Sequence, residues 1–124
     1  MTTDAAATTP EAAKPGPRWL TIALAVLFGL FFAYDLFEAL TNLFGAIELS
    51  DARNAFRVSQ GLDPLAPPWV ILAANVAAPV VAFAAAWWLG RKRRVGAQAL
   101  LYLAGLAVVA AAALTFTALA RTLL

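Results

Sequence analysis

The sequence contains no cysteine and no histidine, and only 13% of its 124 residues are charged. Without these two residue types the chain can form no disulfide bond, no thiolate nucleophile and none of the usual zinc or haem sites. It also lacks the most common general base. Phosphate-binding glycine loops, hydrolase and metalloprotease motifs and nucleic-acid-binding modules are missing as well. We therefore expect no enzyme activity, no catalytic residue, no metal, no cofactor and no nucleic-acid partner.

Hydrophobic residues make up 63% of the chain, against about 45–50% in soluble domains. Most of them fall into three long runs, and each run exceeds the length of about 20 residues that a helix needs to cross a bilayer. The sequence therefore predicts an all-α fold, an integral membrane bundle of three helices. We assign residues 19–47, 69–90 and 95–124 to the three spans.

The remaining segments are polar. Residues 1–18 are rich in Ala, Thr and Pro and have no apolar period, which predicts a disordered cytoplasmic tail. Residues 48–68 are expected to form an exoplasmic loop. Within it, "SDARNAFRVSQG" predicts a short interfacial helix that Ser50 or Asp51 caps and Gly61 ends. Residues 91–94, "RKRR", form a basic loop between the second and third spans.

The basic loop and the tryptophans predict how the chain lies in the membrane. All four tryptophans fall at span ends, as in an interfacial aromatic belt. With Arg91, Lys92, Arg93 and Arg94 in the cytoplasm, six of the nine basic residues lie on that side, which predicts a cytoplasmic N-terminus and an exoplasmic C-terminus. The same four residues are expected to contact anionic lipid headgroups. The Ala-rich composition with Arg in excess of Lys suggests a bacterial protein of the cell membrane.

Two carboxylates interrupt the first span in "YDLFEALTN". Asp35 lies sixteen residues after Trp19, about 24 Å along a helix, so both acids are expected in the outer part of a hydrocarbon core about 30 Å thick. Asn75 and residues near the end of the third span reach a similar depth. The sequence thus predicts an intramembrane polar cluster that consists of Asp35, Glu38, Asn42, Asn75, Thr115, Thr117 and Arg121.

Several roles are open for this cluster. In the structural interpretation the acids solvate the outer end of the first helix and pair locally, and an ion pair between Glu38 and Arg121 is the expected contact. In the functional interpretation the cluster lines a water-filled vestibule, binds a cation or docks a basic residue of a partner.

For the whole chain we expect a small non-enzymatic membrane protein that acts by helix packing. It would be an accessory or assembly subunit, or a homo-oligomer, with the lipid bilayer and a membrane protein as its partners. Alanines at regular spacing in the second and third spans favour close packing of helices. The alternative is an oligomeric ion channel or small-solute transporter that uses Asp35 and Glu38. The chain also resembles phage holins in its length and its three spans. Those pores, however, usually have an exoplasmic N-terminus and a basic cytoplasmic C-terminal tail.

Overall fold

The computed structural model describes residues 17–123, which form three α-helices: α1 (Arg18–Ser59), α2 (Trp69–Gly90) and α3 (Val95–Leu123). All three helices are long and apolar enough to cross a membrane. The all-helical fold with three candidate spans is therefore as predicted. The predicted disordered tail lies outside the described residues, apart from Pro17 and Arg18, and Arg18 is the first residue of α1.

Helix α1 is longer than predicted. It runs without interruption for 42 residues, a length of about 63 Å, and does not end at residue 47. The segment predicted as a separate interfacial helix is the last part of α1, and Ser50, predicted as a cap residue, is fully buried inside the helix. The helix continues past the predicted end of the span because no proline interrupts its backbone hydrogen bonds, although hydropathy falls after Ile47.

Gly61 ends α1, as the sequence predicts. Its φ is +75°, a conformation that glycine adopts without a steric penalty. The amide of Gly61 donates to the carbonyl of Val58, and the amide of Leu62 donates to the carbonyl of Arg57. These two bonds form a Schellman motif, which satisfies carbonyls at the end of the helix.

The connection to α2, residues 60–68, folds back along α1. The side chain of Asn54 donates to the carbonyl of Leu65 at 2.8 Å and accepts from its amide at 2.9 Å. The guanidinium of Arg57 donates to the carbonyl of Asp63. This return places Ile71 and Leu72, near the start of α2, in a cavity that Leu49 of α1 also lines. The last turns of α1, which follow Leu49, thus extend beyond the start of α2.

The three helices pack around aromatic side chains near the basic loop. Tyr102 of α3 stacks between Phe28 of α1 and Phe83 of α2, with ring centroids 5.1 and 5.6 Å away. The side-chain amide of Gln98 donates to the carbonyl of Gly90 and closes the turn between α2 and α3. Neighbouring helices are antiparallel, so α1 and α3 run in the same direction.

Candidate binding cavity and helix groove

A cavity of about 330 Å³ lies among the three helices in the half of the bundle nearest the 60–68 connection. We call it the acidic cavity. Five of the seven residues in the predicted polar cluster line it: Asp35, Glu38, Asn42, Asn75 and Thr117. These residues were grouped from the sequence because those of α1 share one helical face and the others lie at a similar depth. The structure places the five residues around one cavity.

Each helix contributes one side of the acidic cavity. Asp35, Glu38 and Asn42 follow the i, i+3, i+7 spacing that places side chains on one face of α1. Helix α2 supplies Asn75 and Pro79, and α3 supplies Thr117. The rest of the wall is apolar and comes mainly from Val109, Ala110, Ala113 and Leu114. These four residues were not predicted, because nothing separates them from the other apolar residues of α3.

The polar groups of the acidic cavity lack partners within the chain. Within residues 17–123, none of its five polar side chains takes part in a hydrogen bond or an ion pair. Asn75 is the most enclosed of them, with only 9% of its surface exposed. Its backbone carbonyl lacks the usual helical donor as well, because Pro79, four residues later, has no N–H.

The two other predicted residues lie outside the acidic cavity. Arg121 lines a neighbouring cavity of about 180 Å³, which shares Asn42, Asn75 and Thr117 with it. Thr115 lines neither cavity, and its hydroxyl donates to the carbonyl of Ala111 within α3.

The expected ion pair between Glu38 and Arg121 is not present. Thr117 lies at the level of Asn42, since both line the two cavities. Arg121 lies one turn further toward the C-terminal end of α3, and Glu38 lies one turn back toward the N-terminal end of α1. The two residues are therefore separated by about 12 Å along the bundle axis.

The depth of the acids can be measured from Trp69. Glu38 and Asp35 line the same cavity as Asn75 and Pro79, which lie six and ten residues after Trp69, about 9 and 15 Å along α2. Both carboxylates therefore fall within the span of α2. Carboxylates at this depth are costly unless something pairs with them.

A second concave surface lies between α1 and α2 and is apolar. Two adjoining hollows of about 430 and 250 Å³ share Val80. We call them together the α1/α2 groove. Small residues form much of its floor: Gly29, Ala33, Ala73, Ala77 and Ala84. Leu43 and Trp69 close it at the end nearest the 60–68 connection.

The regularly spaced alanines form one stripe in α2, Ala74, Ala78, Ala82 and Ala85, and one in α3, Ala97, Ala104, Ala111 and Ala118. Neither stripe forms this floor. Ala82 of the α2 stripe packs inside the bundle, close to Gly105 of α3. In the α3 stripe, Ala104, Ala111 and Ala118 are exposed. The stripes thus belong partly to packing within the chain and partly to its outer surface.

The basic loop lies at the opposite end of the bundle. Arg91, Lys92, Arg93 and Arg94 are all exposed and line a shallow hollow together with Trp88. The guanidinium of Arg91 lies 5.5 Å from the centre of the Trp88 ring, a distance at which a cation–π interaction forms.

Within residues 17–123, no group of three or more His, Cys, Asp or Glu side chains is placed to hold a metal ion. The acidic cavity offers hydrogen-bond acceptors and negative charge. No protein-family model matches this chain, and searches of curated proteins and of solved structures found no match.

Proposed function

We propose that this protein is a small non-enzymatic subunit of the bacterial cell membrane that acts by packing against another transmembrane chain. The partner chain belongs either to a larger complex, in which this protein is an accessory or assembly subunit, or to a homo-oligomer, in which it is another copy of the same protein. The observation that carries the proposal is the α1/α2 groove. Small residues such as Ala73 and Ala77 let a helix backbone approach closely, which is how transmembrane helices associate in lipid.

The proposed arrangement in the membrane places the basic loop and the N-terminus in the cytoplasm and the C-terminus outside. The exposed Arg91, Lys92, Arg93 and Arg94 support it, because basic residues in short loops favour the cytoplasmic side. At that surface the loop would bind anionic lipid headgroups, with each basic residue contributing about 1 kcal/mol.

The packing proposal can be tested by filling the groove. Ala77→Phe would place a ring where the partner helix has to approach, and we expect it to abolish or strongly reduce association. Ala107→Phe is the matched control, since Ala107 is exposed on α3 and does not line the groove. Association would be measured by cross-linking in the native membrane, followed by purification in mild detergent and mass measurement.

A complex that survives with Ala107→Phe and is lost with Ala77→Phe would support the proposal. Recovery of the wild-type chain only as a monomer without a cross-linked neighbour would refute it. Equal effects of the two substitutions would mean that the association uses another surface.

A second candidate function is an oligomeric ion channel or small-solute transporter, and the acidic cavity favours it. Three helices are too few to enclose a path, so this function requires self-association. It predicts that flux into liposomes falls when Asp35→Asn and Glu38→Gln are combined. Unchanged flux in that double variant would exclude it.

A further inference from the structure

We propose that the acidic cavity binds a small organic cation with N–H donors, a primary ammonium or a guanidinium compound. The inference goes beyond the proposed packing function and does not depend on it, because the cavity and the α1/α2 groove lie on different faces of the bundle. It rests on the unpartnered groups of the cavity, its size and its lining.

The first argument is the enclosure of Asn75. This side chain is nine-tenths buried, lines the cavity and makes no hydrogen bond within residues 17–123. Its amide atoms are not among the side-chain atoms that the protein encloses completely, so a ligand in the cavity can reach them. A ligand with several N–H groups would bond to the Asn75 side-chain oxygen and to the backbone carbonyl that Pro79 leaves without a donor.

The second argument is charge. Asp35 and Glu38 face the cavity, and no basic residue lines it. Arg121 lines only the neighbouring cavity. Lipid chains offer neither charge nor hydrogen-bond donors to a carboxylate. The cavity therefore favours a positively charged occupant that the chain itself does not provide.

The third argument concerns the class of cation. Two carboxylates are fewer than the three His, Cys, Asp or Glu side chains of a typical metal site, and no such group exists within residues 17–123. The apolar wall of Val109, Ala113 and Leu114 suits a ligand with a hydrocarbon part. No aromatic residue lines the cavity, so it lacks the cage that recognises quaternary ammonium groups. Recognition has to come from N–H donors.

The size of the cavity suits a small molecule. Its volume of about 330 Å³ lies at the lower end of the range of about 300–1,000 Å³ for small-molecule sites. The proposed occupant is therefore a small amine.

The test uses the full chain in nanodiscs of phosphatidylcholine, a lipid without net charge, and radiolabelled n-butylammonium as the probe. We expect saturable binding of one amine per chain. Unlabelled guanidinium should compete, whereas tetramethylammonium, which has no N–H, and Na⁺ should not. Absence of saturable binding would overturn the proposal, and so would displacement by Na⁺ as effective as that by guanidinium.

Variants assign the binding to this cavity. Asp35→Asn combined with Glu38→Gln should weaken binding by about tenfold or more, since each removes a charge-assisted hydrogen bond. Glu48→Gln combined with Asp51→Asn is the matched control, because both acids are exposed on α1 and line no cavity near Asp35. Equal losses in the two double variants would show that surface charge alone attracts the amine, and would refute the site.

A variant that is expected to bind more tightly serves as a control for misfolding, because misfolding would weaken binding and not strengthen it. Arg121→Ala removes a positive charge next to the cavity and leaves its lining intact. We expect binding to tighten by about twofold to fivefold, since Arg121 lines the neighbouring cavity and its positive charge repels a cation bound beside Asp35 and Glu38. Weaker binding in Arg121→Ala would contradict the proposed repulsion between Arg121 and the bound cation.

Discussion

At the scale of single residues, Gly105 marks a close approach of α3 to the other two helices. A Cβ built there would lie 3.1 Å from the Phe32 ring and 3.6 Å from the carbonyl oxygen of Ala82. We expect Gly105→Leu to lower the free energy of unfolding by about 1–3 kcal/mol, because the larger side chain overpacks this contact. Reversible unfolding in mixed micelles would measure the change.

Gly96→Leu is the control for that experiment. Gly96 lies in the same helix, and a Cβ there would meet nothing within 4 Å. This substitution should be neutral or slightly stabilising, because leucine favours a helix more than glycine does. Similar losses at both positions would mean that the close approach at Gly105 does not determine the result.

The residues of the site could be predicted only where the pattern of polar and apolar residues shows which side chains share a helical face. Asp35, Glu38 and Asn42 were found because polar residues on one face of an apolar helix stand out. Thr117 and Thr115 could not be separated in this way, because α3 is apolar all round and its pattern does not mark the face toward the bundle. The structure places Thr117 at the cavity and Thr115 on the surface.

At the scale of elements, the largest difference between sequence and structure is the end of α1. The fall in hydropathy after Ile47 marks where a helix leaves a hydrocarbon environment. It does not mark where the backbone hydrogen bonds stop, which depends on proline, glycine and capping. Gly61 carries such a signal and was predicted correctly, whereas Ser50 resembles a cap residue but lies inside the helix.

The connection between α1 and α2 depends on Asn54. We expect Asn54→Ala to release residues 60–68 from α1, because two hydrogen bonds to Leu65 are lost. The amide of Leu65 should then exchange with solvent about 5–30-fold faster, which corresponds to about 1–2 kcal/mol. Hydrogen–deuterium exchange in micelles would measure it.

Ser59→Ala serves as the comparison for Asn54→Ala. The Ser59 hydroxyl bonds to the carbonyl of Phe56 within α1 and does not reach the connection. Exchange at Leu65 should therefore keep its wild-type rate. If Asn54→Ala also left that rate unchanged, other contacts would hold the connection in place.

At the scale of the whole molecule, the basic loop is expected to determine the orientation. Alkaline phosphatase fused after Leu124, which is active only outside the cytoplasm, should be active with the wild-type chain. Replacing Arg91, Lys92, Arg93 and Arg94 by glutamine should produce a mixed orientation with reduced activity, because the excess of basic residues on that side is lost. Arg121→Gln is the control and should keep full activity. An inactive wild-type fusion would contradict the orientation.

The unbroken α1 mechanically connects the acidic cavity to the 60–68 connection and the end of α3. Asp35 and Ser59 belong to one rigid rod without proline, and they lie about 36 Å apart. A tilt of about 10° at the cavity would move the Ser59 end by about 6 Å over that length. Asn54 and Arg53 would carry this displacement to the 60–68 connection and to the end of α3, to which they are hydrogen-bonded. A movement at the cavity would thus reach the 60–68 connection and the end of α3 without any change in secondary structure.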